Sequence, residues 1–418
     1  MNEWIYRFSA IVGIAVILFI AWLFSENKKK FPVRIVVWGL ILQFSFAFLA
    51  FNVPGVVHFF DWLGAQIRNF LAFSMDGARF VFGDLVDQSK SGFIFAFMVL
   101  PTIVFFSAFM AVLYYYGIMQ KVVYGLAWVM NRTLKTSPTE SLAAAANVFF
   151  GQTEAVLTVR PYLNSATHSE IFAMMVGGFV TIAGAVLAAY IQMGIPATDL
   201  IIASIISAPA GLMIAKILVP PTGQEAMDME HLNQKLHMKK AYNVLEAAVN
   251  GTEEGVRLAV NIGAMLIVFL AFIAIFDAMF AWMHGVFLQY LGWGGFPGSL
   301  REFFGVILSP LGYLVGVPWK EAHIFGSLVG TKVALNEFVA YMDLAQLIKE
   351  GAISSRTEHI ATFALCGFAN FGSVAIQIGG IGGLVPERKS EIASIALKAM
   401  FGGVLANLLT AAVVSVLL

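Results

Sequence analysis

The feature that most limits what this chain can fold into is a series of apolar runs, each about as long as a bilayer is thick. They cover residues 4–24, 33–53, 92–118, 168–193, 198–219, 252–283 and 389–418. A helix of about 20 apolar residues crosses the roughly 30 Å hydrocarbon core. Inside lipid a helix satisfies its own backbone polar groups, which an open strand cannot do. An eighth run, 356–385, is equally apolar but is interrupted by "GFANFGS". Charged residues make up only 12% of the 418, about half the ~25% of a soluble domain. The expected fold class is therefore an all-α polytopic membrane protein with about eight transmembrane helices. No small-residue cleavage site follows the first run, which reads as a span and not as a cleaved signal. A net charge of zero offers no basic face to nucleic acid. Seven His and the single Cys366 cannot build a Cys-rich zinc site or a disulfide framework.

Two stretches are amphipathic instead. "HFFDWLGAQIRNFLAFSMDGARFVFGDLVD" after the second run and "QKVVYGLAWVMNRTLK" after the third mix apolar and charged residues at helical spacing, the pattern of interfacial helices. Two further apolar regions are too fragmented to cross. Residues 139–166 are cut by "GQTE" and end in "RPYLN". Residues 300–346 are cut by "LGYLVGVPWKE" and then contain "LNEFVAY". Broken helices at membrane depth survive only where protein or a water-filled cavity satisfies the freed backbone. Both regions therefore read as re-entrant hairpins. Counted as non-crossing, they put "NKKK", Arg132 and Lys135, Lys235, Lys239 and Lys240, and "ERK" at 387–389 on one side, the cytoplasm. Arg68, Arg79, Arg301 and Arg356 fall on the other side, and both termini lie outside.

The order repeats. Residues 139–219 and 300–418 each run hairpin, interrupted span, span; a hairpin carboxylate, Glu154 or Glu337, precedes a break at Thr181 or Asn370. Paired, inverted, interrupted segments point to a transporter with its site at the midplane. A carboxylate at the bilayer centre costs at least about 2.5–3.5 kcal/mol, so an acid kept there is a site candidate first. The bland reading is a structural role: each acid accepts hydrogen bonds from helix ends or neutralises a nearby cation, with Arg160 and Lys332 available. Gln152, Thr153, Asn370 and Ser373 both donate and accept beside the two acids. No Lys or Arg sits within these short polar segments as an anion clamp would need. The set suits a neutral solute with many hydroxyl and N–H groups, and Phe368 could face a ring. Asn147, the Phe150 carbonyl, Thr181 and the Ile182 carbonyl form a second group able to coordinate Na⁺ at a helix break. Asn147 could equally tie two helices together. His323 and His359 read as tethers, and "GGIGG" at 379–383 as a close-packing surface. No Ser/His/Asp order or HExxH suggests an enzyme.

"NVFFGQTEA…VRPYL", "GVPWKEA", "NEFVAY" and "CGFANFGSVAI", in that order, resemble the concentrative nucleoside transporter family across nearly the whole chain. The resemblance implies a bacterial, multi-pass plasma-membrane importer of nucleosides such as uridine, cytidine or adenosine. It implies a homotrimer working by elevator-type movement. Residues 1–138 and the long span within 220–299 would be scaffold; 139–219 and 300–418 would form the transport domain. By similarity, Gln152, Thr153, Glu154 and Val186 would read the base. Glu337, Asn370 and Ser373 would hold the ribose, with Phe368 against the base. Sodium-driven members place the ion where Asn147, Phe150, Thr181 and Ile182 fall, so Na⁺ is the expected coupling ion, with no other cofactor. Thr181 stands where Ser is also used, and H⁺ coupling stays open, as do a channel and a non-transporting sensor.

Overall fold

The computed structural model describes residues 3–221, 241–292 and 294–418. Lys235, Lys239 and Lys240 lie outside the described residues. Among the described residues every regular element is helical. Two plain spans come first, α1 (Glu3–Leu23) and α2 (Val33–Asn52). The first amphipathic stretch forms one helix, α3 (Pro54–Phe82), opened by a proline at a position whose N–H has no helical acceptor. α4 (Leu100–Tyr115) completes the third apolar run, and α5 (Ile118–Leu134) is the second amphipathic stretch.

The repeated unit then begins. α6 (Pro138–Asn147) and α7 (Glu154–Leu157) are the arms of the first hairpin. α8 (His168–Val180) and α9 (Gly184–Gln192) are the halves of a broken helix, and α10 (Ala197–Leu218) closes the unit. After α11 (Val244–Leu291) and α12 (Leu300–Leu314) the same order returns. Hairpin arms α13 (Trp319–Ala334) and α14 (Glu337–Glu350) precede a broken helix, α15 (Ser355–Leu365) and α16 (Phe371–Leu384), and then α17 (Lys389–Leu417).

Local sequence explains where these helices start and stop. Ser137 and Glu140 form a reciprocal capping box at the head of α6, and Thr167 and Glu170 do so for α8. In the second unit Asn336 caps α14 by accepting from Val339 N, and Asn370 caps α16 by accepting from Ser373 N. Each polar residue at a break thus satisfies an N–H that the interruption frees. α10 and α17 are apolar on nearly all faces and form the buried centre, whereas α4 and α11 lie outside it. The capping boxes are buried and joined. Thr139 donates to Glu170 at 3.1 Å, and Lys216 of α10 meets Glu140 at 2.5 Å and Ser169 at 2.9 Å.

The seven apolar runs each coincide with helix long and apolar enough to cross a membrane, among the described residues, the run at 168–193 with a break at 181–183. The run 356–385 is split at 366–370, where "GFANFGS" lies. Two elements differ from their expected bounds. The span expected at 252–283 is a 48-residue helix, about 70 Å long and longer than a whole bilayer is thick. Its extra turns run over 244–251 and 284–291, and the first carries Glu246, a charge that lowers hydropathy without ending a helix. The region 300–346 is also more than one hairpin. α12 is separated from α13 by a bend of 117° at Val315–Pro318, and the apex that carries Glu337 is a second break, at 335–336. The first of these turns falls within "LGYLVGVPWKE", where the sequence reading cuts the region, and the second at "LNEF".

Candidate functional site

The two hairpin acids occupy equivalent places. Glu154 is the first residue of α7 and Glu337 the first of α14. Each meets the positive end of a helix, where unpaired N–H groups stabilise a negative charge. Neither is in an ion pair with Arg160 or Lys332; among the described residues both acids lack a cationic partner at salt-bridge distance. Arg160 is exposed, and Lys332 turns to other acceptors.

Glu337 is 4% exposed and aimed by two donors. The Tyr190 hydroxyl donates to Oε1 at 3.3 Å and Asn370 Nδ2 to Oε2 at 2.8 Å. Since Asn370 Oδ1 accepts from Ser373 N at 2.8 Å, that amide's orientation is fixed by its two contacts. Tyr190 of α9 belongs to the first unit, so this contact joins the two repeats.

On the other side, Gln152 is buried and its Oε1 accepts from Gln377 Nε2 at 3.2 Å. Gln377 of α16 also donates to the Met175 carbonyl at 3.1 Å. The Thr153 methyl sits where Gly380 lacks a side chain; a Cβ there would lie 2.3 Å from it. That contact gives the "GGIGG" segment its close-packing role. His359 is likewise held, with Nδ1 at 2.5 Å from Asp199 Oδ2.

Gln152, Thr153, Glu154, Val186, Glu337, Phe368, Asn370 and Ser373 all line one cavity of about 690 Å³. This is within the roughly 300–1,000 Å³ of small-molecule sites. Its remaining wall comes from α4, with Tyr114, and from α11, with Glu254, Arg257 and Asn261. The residue-by-residue reading missed Tyr190 and Gln377, each a single polar-tipped residue in an apolar helix, and the polar face of α11. Among the described residues the charged lining is three carboxylates, Glu154, Glu254 and Glu337, against one guanidinium, Arg257. Such a wall disfavours anions and favours a neutral or cationic guest.

The second expected group gathers at the first break. Asn147 ends α6 and is fully buried, and among the described residues neither its Oδ1 nor its Nδ2 has a hydrogen-bond partner. It faces Gly177, where a Cβ would lie 3.2 Å from Nδ2, and Thr181 donates to the Gly177 carbonyl at 3.1 Å. Gly184 N donates to the Phe149 carbonyl at 3.0 Å, binding the hairpin apex to the far side of the break. Ile182 is buried within that break, while the Phe150 ring lines the cavity and stacks on Tyr114 at 4.3 Å. A buried amide with nothing to bind costs about 1–3 kcal/mol per orphaned group. Its carbonyl oxygen, with a hydroxyl and broken-helix carbonyls nearby, fits a hard monovalent cation. Among the described residues no cluster of three or more His, Cys, Asp or Glu could hold a metal.

Apolar spanning helices, two hairpins, two broken helices and a central cavity between them define a multi-pass membrane transporter and not an enzyme. Three family models tile the chain: Na⁺ dependent nucleoside transporter N-terminus over 12–85, Nucleoside recognition over 96–197, and Na⁺ dependent nucleoside transporter C-terminus over 199–415. The chain belongs to the Na⁺-dependent concentrative nucleoside transporter family. It is 46% identical to an uncharacterised transporter of Haemophilus influenzae, over 97% of this chain and 96% of that one. It is 40% identical to nucleoside permease NupC of Helicobacter pylori, over 97% and 96%. With human sodium/nucleoside cotransporter 1 it shares 42% identity over 97% of this chain and 63% of that longer one. An inward-facing, substrate-bound structure of CNTnw superposes with a TM-score of 0.91 at 40% identity, covering 98% and 97% of the two chains. A CNTnw variant in an outward-facing state gives 0.90 at 39% identity, over the same shares.

Proposed function

We propose that this protein is a symporter that imports nucleosides down a sodium gradient, with the cavity between the hairpins as its nucleoside site. The observation that carries the reading is the convergence of both hairpin acids, both helix breaks and their amides on one cavity. Glu337, aimed by Tyr190 and Asn370, has acceptor capacity left for a ribose diol, with Ser373 beside it. Gln152, Thr153 and Glu154 offer donors and acceptors to a base edge, and Phe368 and Val186 offer apolar surface to its plane. Predominantly acidic walls favour nucleosides such as uridine, cytidine or adenosine over their phosphorylated forms.

Sodium is placed at Asn147, Thr181 and the Phe150 and Ile182 carbonyls, supported by the unpartnered Asn147 amide. Coupling is reciprocal: whatever factor the ion adds to nucleoside affinity is lost when the ion leaves into a low-sodium cytoplasm. The inward- and outward-facing states of the CNTnw relatives support an elevator-type cycle. In this cycle residues 139–219 and 300–418 move against a scaffold of 1–138 and α11, in a homotrimer within the plasma membrane.

The test is uptake of labelled uridine and adenosine into proteoliposomes with only a Na⁺ gradient or only a pH gradient. Accumulation with Na⁺ alone supports the reading. Drive by pH alone would replace sodium with a proton, and no accumulation under either gradient would point to a channel or sensor. In the same vesicles nucleoside monophosphates are expected to compete at least about tenfold more weakly than the parent nucleosides. Thr181→Ala removes one ion ligand and should raise the Na⁺ concentration for half-maximal uptake severalfold. An unchanged value would take Thr181 out of the ion site.

A further inference from the structure

The second repeat holds a cation of its own. Lys332, in the last turn of α13, is 1% exposed. Its ammonium donates to the Ala364 carbonyl at 2.9 Å and to Asn407 Oδ1 at 2.6 Å. Asn407 of α17 passes the contact on, its Nδ2 donating to the Cys366 carbonyl at 2.6 Å and the Val180 carbonyl at 2.8 Å. These carbonyls lie at the C-terminal ends of α15 and α8, the negative ends of the two broken helices. Among the described residues no carboxylate is paired with Lys332. The two breaks also touch at Gly367, where a Cβ would lie 2.5 Å from Asn407 Oδ1 and 2.6 Å from the Phe179 carbonyl.

The correspondence between repeats gives this lysine its meaning. Asn147 ends the first arm of hairpin one, seven residues before Glu154, and Thr181 is the first residue after α8. Lys332 lies in the last turn of the first arm of hairpin two, five residues before Glu337, and Cys366 is the first residue after α15. The same two elements meet in both repeats. In the first they present an unpartnered amide and a hydroxyl to an ion; in the second they close on an ammonium carried by the chain. As a mere structural tie, an unpaired buried ammonium is a costly choice, since a neutral donor would need far less desolvation.

We propose that Lys332 is a tethered counterpart of the exchangeable sodium. It holds hairpin two onto its helix break, so that Glu337 and Asn370 stay presented to the nucleoside and only the first repeat exchanges its cation. This rests on the sodium reading of the first break. Asn407 bridges both breaks, its second contact falling on Val180, next to Thr181. The fixed cation therefore acts on transport as a positioning residue, through Asn407 and the hairpin apex.

The test uses full-length Lys332→Ala and Lys332→Met in proteoliposomes, with labelled uridine uptake titrated against Na⁺ in the presence and absence of ethylammonium. Lys332→Met, neutral and space-filling, should lose uptake at saturating Na⁺ by about tenfold or more. Lys332→Ala leaves room for a free cation, so ethylammonium should restore uptake at least about threefold. With Na⁺ as the only cation, its dependence should steepen from a Hill coefficient of about 1 toward about 2, as a second ion enters the vacated place. A variant too poorly folded to transport is read by its melting temperature in detergent, which ethylammonium should raise in Lys332→Ala and not in Lys332→Met. Wild-type uptake by Lys332→Met, or no response of Lys332→Ala to either cation by uptake and by melting, overturns the proposal. The wild-type titration separates the two readings. Sodium-independent uptake there removes the ion site at Asn147, while amine rescue of Lys332→Ala still reports on Lys332.

Discussion

Glu337→Gln is expected to reduce nucleoside uptake by about two orders of magnitude or more while leaving the fold intact. The geometry supplies both halves of this expectation. Asn370 can only donate toward residue 337, because its own oxygen is engaged by Ser373 N. The glutamine oxygen must therefore face Asn370, and its amide nitrogen must face Tyr190, whose hydroxyl can accept as well as donate. Both native contacts survive in altered form, so the melting temperature in detergent should move little. What disappears is the charge and half of the acceptor capacity offered to the guest. A charge-assisted hydrogen bond is worth about 1.5–3 kcal/mol, and two of them to adjacent ribose hydroxyls amount to a factor of about 10² to 10⁴. The partner in the interaction can be identified by truncating the substrate instead. A 2′,3′-dideoxynucleoside should be a poor substrate of the native protein, and Glu337→Gln should cost it little more, since both changes remove the same contact. Strictly additive losses would move the ribose away from Glu337, and wild-type uptake by the variant would end the role assigned to this acid.

Much of the architecture is written in hydropathy, because lipid imposes one rule on every segment. Runs of about 20 apolar residues had to be helices, and the polar interruptions at "GQTE", "LNEF" and "FANF" had to be breaks that line something. The breaks also marked out the candidate site, since a carboxylate at depth is too costly to keep unless it binds or couples something. Where hydropathy stopped short, the cause was local. The first turns of α11, 244–251, carry Glu246 and fall outside the expected span 252–283, while Glu254 and Arg257 inside that span face the cavity, which shields them from lipid. Tyr190 and Gln377 look like ordinary members of apolar helices until the fold carries their polar tips to Glu337 and Gln152. The turn between α12 and α13 falls inside "LGYLVGVPWKE", the cut read from the sequence, and is set by Gly316 in a left-handed conformation, with φ of 95°, and by Pro318. Lys332 was a candidate partner for Glu337 by sequence proximity. Helix geometry sends its ammonium to Ala364 and Asn407 instead, an outcome that depends on where α17 passes.

Asn147→Ala should separate stability from coupling in opposite directions. An ordinary buried asparagine pairs its amide, and its removal leaves other groups unsatisfied at about 1–3 kcal/mol each. Asn147 has no such partners among the described residues, with both amide atoms orphaned in a fully buried position. Truncation therefore breaks no hydrogen bond and removes two unsatisfied groups, which offsets the small cavity it creates. Without sodium, the variant should melt at or slightly above the native temperature. With sodium the order reverses. A ligand present at about 100 times its dissociation constant stabilises the state it binds by about 2.7 kcal/mol. The native protein should gain that increment and Asn147→Ala should not. Its uptake should fall at least about tenfold under a Na⁺ gradient, since losing the ion removes its contribution to nucleoside affinity by linkage. A melting curve recorded with Na⁺ and with choline as the replacing cation checks both signs in one experiment. If Asn147→Ala melts several degrees below the native protein in choline, the amide is a structural tie between α6 and α8. If it is stabilised by Na⁺ as much as the native chain, the ion is held elsewhere.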